Sequence, residues 1–524
     1  MASDRPTVSS GRTAISTILL PSIGNIVFVA LLFALIFNSG QGLLGDGDTG
    51  YHIRTGEIIL QTWRVPQQDI YSLHSPPLKW TAHEWMAEVI MAAFFRVAGL
   101  TGVVTFFAFL LAITHWLLYQ TLRSKSNDIL LCTLVTILAT ATSSTHWLAR
   151  PHAFSLVLTV IWCHCLDRFQ CKNARTLIYL PLLMLVWVNL HGGYFFGLVL
   201  LAFYLIGNVV YSFVGRPDQF QYRIKAKSLL LVLVTTVGIC VMNPYGFEIL
   251  WFPIRVTSDR FVMDRVTEFM SPNFHEVLPF KYMLLAAIGM LALSRFPLNL
   301  IEAALINLVS YMALYSARHV SLFAIVAAPL LLRIGENIIE RLPEPFSQFY
   351  RNRNRNLTAI EANLNGYLWP TIGTFIIFGL VLIGALKYQF NDKIFPVAAV
   401  EFLKKENITG NMFNNDEFGD YMIFAAWPNY LVFMDGRSDM YGEKLGSAYL
   451  KLANVQPEWK DIISKFDISW IIFDTHSALT AALRDQTDWQ PIYSDQVATI
   501  FVKKDAAHEA LLERYPAVTL PYAR

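Results

Sequence analysis

Long apolar runs recur along this chain of 524 residues, and they limit its fold more than any other feature. Each is about 15 to 21 residues long, which at 1.5 Å per residue gives a helix able to cross roughly 30 Å of hydrocarbon. About eleven are expected to be transmembrane helices, centred near Val29, Phe109, Thr136, Thr159, Met184, Tyr204, Val234, Ala287, Ile306, Val326 and Phe378. Composition agrees, because 54% hydrophobic and 15% charged residues is too apolar for a string of soluble domains. The first run, "ILLPSIGNIVFVALLFALIF", is too long for a signal-peptide core and lacks a good cleavage site, so it reads as a retained anchor.

Basic residues sort the connections. "LRSKSN", "DRFQCKNAR", "GRPDQFQYRIKAK", "RFP" and "RIGENIIERLPEPFSQFYRNRNRN" are dense in Lys and Arg, as is the N-terminal tail, and are expected on the cytoplasmic side. The amino end is then cytoplasmic and everything after about Tyr388 extracytoplasmic. On that outer face fall the segment 40–100 with its "GDGDTGYH", "THWLARPH", "NLHGGYF", the stretch from "NPYGFEIL" to "SPNFHEVLP", and "YSARHV". The basic loops contain little beyond solvated charge, so function is expected outside.

Several functions are disfavoured. No basic block is interleaved with aromatics as a nucleic-acid groove requires, so nucleic acid is not an expected partner. The five cysteines lie in apolar runs or at their basic ends, which implies no disulfide framework. In "CHCLDRFQC", His164 and Cys165 diverge from Cys163 on a helix, so no metal cluster is expected there.

Beyond residue 388 the pattern changes to short mixed segments. "NYLVFMD", "SWIIFDT" and "QVATIFVKK" read as strands, and "AAVEFLKKEN", "PEWKDIISKF" and "SALTAALRDQ" as amphipathic helices. The expected fold is a polytopic α-helical membrane module over 1–387 followed by an extracytoplasmic α/β domain over 388–524. No glycine-rich phosphate loop precedes any of these helices.

Asp46 and Asp48 stand just past the first apolar run. On their own, Gly-Asp-Gly-Asp supplies turn formers. The surroundings shift that reading, because Arg54, Glu57, Asp69, Lys79, His83, Glu84 and Glu88 follow, mixed with Trp63, Trp80 and Trp85 of the kind that settle at a membrane interface. "HEWMAEVIMAAFFRVAGL" then has the spacing of a helix lying along that interface before the next crossing.

"DGDTGYHIRTGEIIL", "ARPHAF", "WVNLHGGYFFG", "NPYG" and "FMDGRSDMYG", in this order over most of the chain, resemble a branch of bacterial proteins in the GT-C class of membrane glycosyltransferases. The resemblance implies a polyprenyl-phosphate-linked sugar as donor, a glycan, lipid or protein acceptor, and a bacterial inner membrane. It makes Asp48 the general base, with Asp46 supporting it or helping to hold a divalent ion such as Mg or Mn. Glu268, in "TEFMSPNFHE", is the candidate second carboxylate in a later outer loop. Substrate contacts are expected from His52, Arg54, His83 and Glu84 in the first outer segment. Arg150, His152, His191, Arg318 and His319 at outer helix ends are expected to meet the phosphate. Gly192 and Gly193 suit close backbone approach to a ligand or close helix packing.

Two local readings complete the set. Glu302 is expected in an ion pair with Arg295, and in "DGRSDMYG" Asp435 is expected to cap while Arg437 pairs with Asp439. Competing functions are a flippase or transporter for lipid-linked sugars, a noncatalytic membrane protein whose outer domain binds a partner, and a wall-polymer polymerase or ligase using diphosphate-linked donors.

Overall fold

The structure, a computed structural model, describes residues 19–214, 218–276, 278–295, 297–361, 364, 366–515 and 518. The N-terminal tail and part of the "GRPDQ" loop, read above as cytoplasmic, lie outside the described residues.

Every position at which an apolar run is centred falls within a helix. Ile23–Leu44, Trp85–Arg123, Ile129–His146, Tyr194–Tyr211 and Ala317–Ile339 are long and apolar enough to cross a membrane. Arg175–Leu190, Pro279–Leu293, Leu300–Tyr315 and Leu368–Leu382 are shorter apolar helices. The remaining centres lie in His152–Lys172, which ends on charged residues, and Gln219–Cys240, whose first turns are polar. The protein is thus a helical membrane bundle, and one continuous apolar core runs through it.

The helices bring their connections to two ends. At one, Lys125 pairs with Asp167 at 2.5 Å, Lys225 donates to the Gln170 carbonyl at 2.8 Å, and the helix Glu344–Glu361 docks through Tyr350 on Asp128. Glu302 caps its own helix with Asn299 and pairs with Arg333 rather than with Arg295. Arg333 lies on the neighbouring helix Val320–Ile339, so tertiary packing supplied a partner that sequence proximity did not. The opposite end holds "GDGDTGYH", "ARPH", "NLHGG" and "ARH", and on it sits the C-terminal subdomain.

That subdomain is built on a four-stranded sheet ordered β1-β2-β4-β3, with β1 (Asn411–Asn414), β2 (Ile468–Asp474), β3 (Trp489–Ser494) and β4 (Ala498–Lys503). β1 and β2 are parallel and the other pairs antiparallel. "SWIIFDT" and "QVATIFVKK" form β2 and β4, and the three predicted helices form over Val397–Glu406, Trp459–Lys465 and Ala478–Arg484. "NYLVFMD" is buried from Val432 to Asp435 and at Tyr430, but is not a strand. Its backbone is diverted to other partners: Val432 bridges Ser72 of the segment 40–100, and the Asn414 side chain bonds Phe433 N–H and the Met434 carbonyl, each at 2.7 Å. Among the described residues of the subdomain, three helices went unread, Asp416–Ala426, Ser438–Ala453 and Glu509–Arg514.

The segment 40–100 is more ordered than a turn. Asp48 opens a helix, Asp48–Thr62, which packs on Trp85–Arg123 and on Asp416–Ala426. Trp85–Arg123 is broken at Ala98 and Gly99, which separates the stretch expected along the interface from the one expected to cross.

A candidate active site at the subdomain end of the bundle

The glycines of "GDGDTG" serve packing more than turn chemistry. Gly47 has helical dihedrals (φ −64°, ψ −28°), so no left-handed conformation demands it. A Cβ at Gly47 would instead lie 2.9 Å from Asp420 Cβ, and one at Gly50 would lie 2.7 Å from Phe424 Cβ. The missing side chains let Asp416–Ala426 lie directly on the start of Asp48–Thr62.

The carboxylates that follow are tightly held. Asp48 N–H donates to Asp46 Oδ1 at 2.9 Å. Arg150, just before the helix His152–Lys172, reaches Asp46 Oδ2 at 2.5 Å, Asp48 Oδ2 at 2.6 Å and Glu268 Oε1 at 2.5 Å. Arg318 stacks over Phe269 at 5.0 Å and lies 4.0 Å from the other Glu268 oxygen. Electrostatics separates the acids. Burial pushes the Asp48 carboxyl up to about 8, with Arg150 opposing and Asp46 and Glu268 adding to the rise. Burial also acts to raise Glu268, but Arg150 and Arg318 outweigh it and hold that carboxyl at about 2. Two carboxylates on one arginine thus differ in proton affinity, since Asp48 is the more deeply buried and has other acids beside it.

A second cluster surrounds Glu84. His191 Nε2 is 3.4 Å and His83 Nε2 3.5 Å from Glu84 Oε1, and His52 Nε2 is 3.6 Å from Oε2. His52 Nδ1 faces Glu88 at 3.2 Å. Gly193 N–H donates to His191 Nδ1 at 2.9 Å, so the neutral ring carries its proton on Nε2, toward Glu84. Trp187 donates to Ser155 Oγ at 2.7 Å, leaving the Ser155 hydroxyl hydrogen for His191 Nδ1, also at 2.7 Å. Burial, reinforced by nearby cations, keeps His52 and His191 well below the ordinary histidine range. Gly193 abuts Ser155, the packing alternative for that glycine pair.

Both clusters line one cavity of about 880 Å³. Its other wall is apolar, formed by Phe252, Val256, Phe261, Met263, Val266, Phe269, Leu308 and Met312. Arg265 also lines it, stacked over Phe261 at 4.3 Å.

Solved structures share this arrangement of the chain. The apo oligosaccharyltransferase of Archaeoglobus fulgidus aligns over 92% of this chain and 74% of its own, at 11% identity and a TM-score of 0.57. The oligosaccharyltransferase AglB of A. fulgidus, in complex with an inhibitory peptide and a dolichol-phosphate, aligns over 86% and 69%, at 10% identity and a TM-score of 0.58. The fold is that of the GT-C glycosyltransferases. ArnT from Cupriavidus metallidurans bound to undecaprenyl phosphate aligns over 92% of this chain and 98% of its own, at 12% identity and a TM-score of 0.49. No family model and no curated protein matches the sequence.

On this GT-C fold, most of the residues singled out from sequence meet in one place. Asp46, Asp48, His52, His83, Glu84, Arg150, His152, His191, Glu268, Arg318 and His319 all line the cavity. Arg54 does not. It lies on another face of Asp48–Thr62, donating to the Phe424 carbonyl and to Glu57, each at 2.7 Å. Arg150, expected on phosphate, is instead taken up by carboxylates. Arg437 pairs with Asp435 and with Asp69 at 2.8 Å, not with Asp439, and lies under Trp80 at 4.5 Å, so "DGRSDMYG" ties the subdomain to the segment 40–100. His152 and His319 are engaged by carbonyls of His146 and Met312.

Sequence reading missed Arg265 and Asp420. Asp420 lies on Asp416–Ala426, whose Asn415 cap and acidic first turn are a legible helix start. The divalent ion expected at Asp46 and Asp48 meets a different situation. The converging oxygens of Asp46, Asp48 and Glu268 are turned onto the Arg150 guanidinium, and among the described residues no group of three or more His, Cys, Asp or Glu is arranged to hold a metal. In this geometry these residues fit a guanidinium and not a metal ion.

Proposed function

We propose that the protein is a bacterial inner-membrane glycosyltransferase with about eleven crossings, its amino end cytoplasmic and its C-terminal subdomain extracytoplasmic. It moves a sugar from a polyprenyl-phosphate donor to an acceptor hydroxyl, with inversion. The observation that carries this reading is the cavity, where carboxylates, arginines and histidines face an apolar wall within a single enclosure. A ligand that is apolar at one end, anionic in the middle and hydroxyl-rich at the other suits those three linings. The bound dolichol-phosphate of the A. fulgidus AglB structure supports a lipid phosphate as ligand.

The isoprenoid lies against Phe261, Met263, Val266 and Phe269. Arg318 and Arg265, both stacked on rings of that wall, meet the phosphate. Asp48 takes the proton of the acceptor hydroxyl, and the oxygen attacks the anomeric carbon on the face opposite the phosphate. As that bond forms, the sugar–phosphate C–O bond breaks and its electron pair leaves on the phosphate, where the two arginines hold the charge. A base serves best when its pKa lies near the working pH, which is where burial puts Asp48. Arg150 keeps the carboxylates together, and the Glu84 cluster meets sugar hydroxyls. A transporter would be expected to carry its polar groups near mid-depth on interrupted helices, whereas these come from helix ends.

The test is Asp48→Asn in the full-length protein, inserted to the normal level. Transfer from polyprenyl-phosphate hexose or pentose donors, followed as sugar incorporated into envelope glycans, is expected to stop. Near-normal transfer by that variant would overturn the assignment.

A further inference from the structure

Asp420 is 3% exposed and comes from the C-terminal subdomain, yet its carboxyl stands beside that of Asp48 at the opening of Asp48–Thr62, both abutting Gly436. We infer that Asp420 is the positioning residue of the base: a protonated carboxyl, delivered by the subdomain, that donates a hydrogen bond to Asp48. The inference rests on the reading of Asp48 as base.

Three observations support it. Gly47 and Gly50 leave room for Asp416–Ala426 on the start of Asp48–Thr62, so the two acids are brought together by packing. Gly436 closes the pair from the other side. Its N–H donates to Asp420 Oδ1 at 3.0 Å, and a Cβ there would lie 2.3 Å from Asp48 Oδ1 and 2.9 Å from Asp420 Oδ2. The third is where the proton belongs. Two buried ionised carboxylates side by side repel and have no hydrogen to share, so their close approach favours one of them being neutral and donating to the other. Asp48 is bound by Arg150 at 2.6 Å, whereas no ion pair reaches Asp420 among the described residues. The charged groups about the pair are Asp46, Asp435 and Glu268 beside Arg150, with Tyr51 adjoining, so anions predominate next to Asp420. Burial and those anions hold the Asp420 proton well above the usual carboxylate range.

The arrangement gives the subdomain a part in the chemistry. Asp48 is oriented by Arg150 from the bundle and by Asp420 from the subdomain, while the Arg437–Asp69 pair fastens the two pieces together. In this assignment Asp420 orients the base, so it acts through Asp48.

The experiment uses the full chain reconstituted in lipid, with two readouts. The first needs no ligand: the infrared carbonyl band of a protonated aspartic acid, measured above about pH 8, where Asp48 is ionised, with isotopically labelled aspartate. It is expected in the wild type and absent or displaced in Asp420→Asn. A wild type without such a band would overturn the inference even if it transfers sugar. The second is sugar transfer by the same reconstituted variants as donor concentration is varied. Asp420→Asn keeps an N–H donor at the same place and is expected to stay within about threefold of wild type, while Asp420→Ala, inserted equally well, loses about tenfold or more in turnover with little change in donor KM. An inactive Asn variant beside a folded Ala variant of equal loss would overturn the donor role. A band present in a wild type that transfers no sugar would sink the transferase and spare the carboxyl pair.

Discussion

The two clusters in the cavity are built on opposite principles. Around Arg150 the contacts are 2.5–2.6 Å, ionic and closed, with a carboxylate from the helix Asp48–Thr62, one from the turn before it and one from the loop before Pro279–Leu293. Around Glu84 the histidine nitrogens stand off at 3.4–3.6 Å, longer than good hydrogen bonds, and the buried rings of His52 and His191 are neutral. The first cluster is pre-organised and holds a base in one orientation. The second has unspent donors and space, which suits hydroxyls of varied geometry. Chemistry and recognition are divided between a rigid and an adaptable half of one cavity.

That division predicts unequal sensitivity. Asp48→Asn is expected to lower turnover by about a thousandfold, measured as sugar transferred at saturating donor; an effect no larger than that of the Glu84 variant below would erase the distinction. Arg150→Ala leaves the buried carboxylates without their cation and is expected to cost about 3–5 kcal/mol of stability, read from thermal unfolding in detergent, with Arg150→Lys recovering only part because it lacks the planar fork. An Arg150→Ala protein as stable as wild type would show that the closed cluster is not closed in solution. The pH profile sharpens the point. Asp48 must be ionised to accept a proton, so kcat/KM is expected to rise through about pH 8. Stability moves oppositely: the folded state holds that proton more tightly than the unfolded chain, so its contribution is full below the ordinary carboxylate range and lost as pH rises through about 8. Glu84→Gln is expected to cost about tenfold, mainly in KM. Smallest of all, Glu302→Gln at the far end breaks a partly exposed ion pair and is expected to change stability by less than about 1 kcal/mol and transfer not at all.

Much of the membrane-embedded part was legible in the sequence, because a run's length and hydropathy are local properties that the bilayer reads directly. The grouping of "GDGDTGYH", "ARPH", "NLHGG" and "ARH" at one end followed from the alternation of basic connections. The identity of each partner did not. Arg150 looked like a phosphate ligand and is bound by carboxylates; Glu302 chose Arg333 over Arg295; Arg437 chose Asp69 and Asp435 over Asp439. "NYLVFMD" has the composition of a strand, but its backbone bonds go to the segment 40–100 and to Asn414.

By itself, then, the sequence determined which segments form the apolar helices of the bundle, which connections share an end, and which acids and bases stand there, since periodicity, length and charge are written along the chain. Tertiary structure alone decided that Asp48 is raised and Glu268 lowered on the same arginine, and that Asp420, far along the chain, stands beside Asp48 at Gly436. Proton affinity and ion pairing depend on burial and on distances of a few ångströms, and both are set by which surfaces pack together.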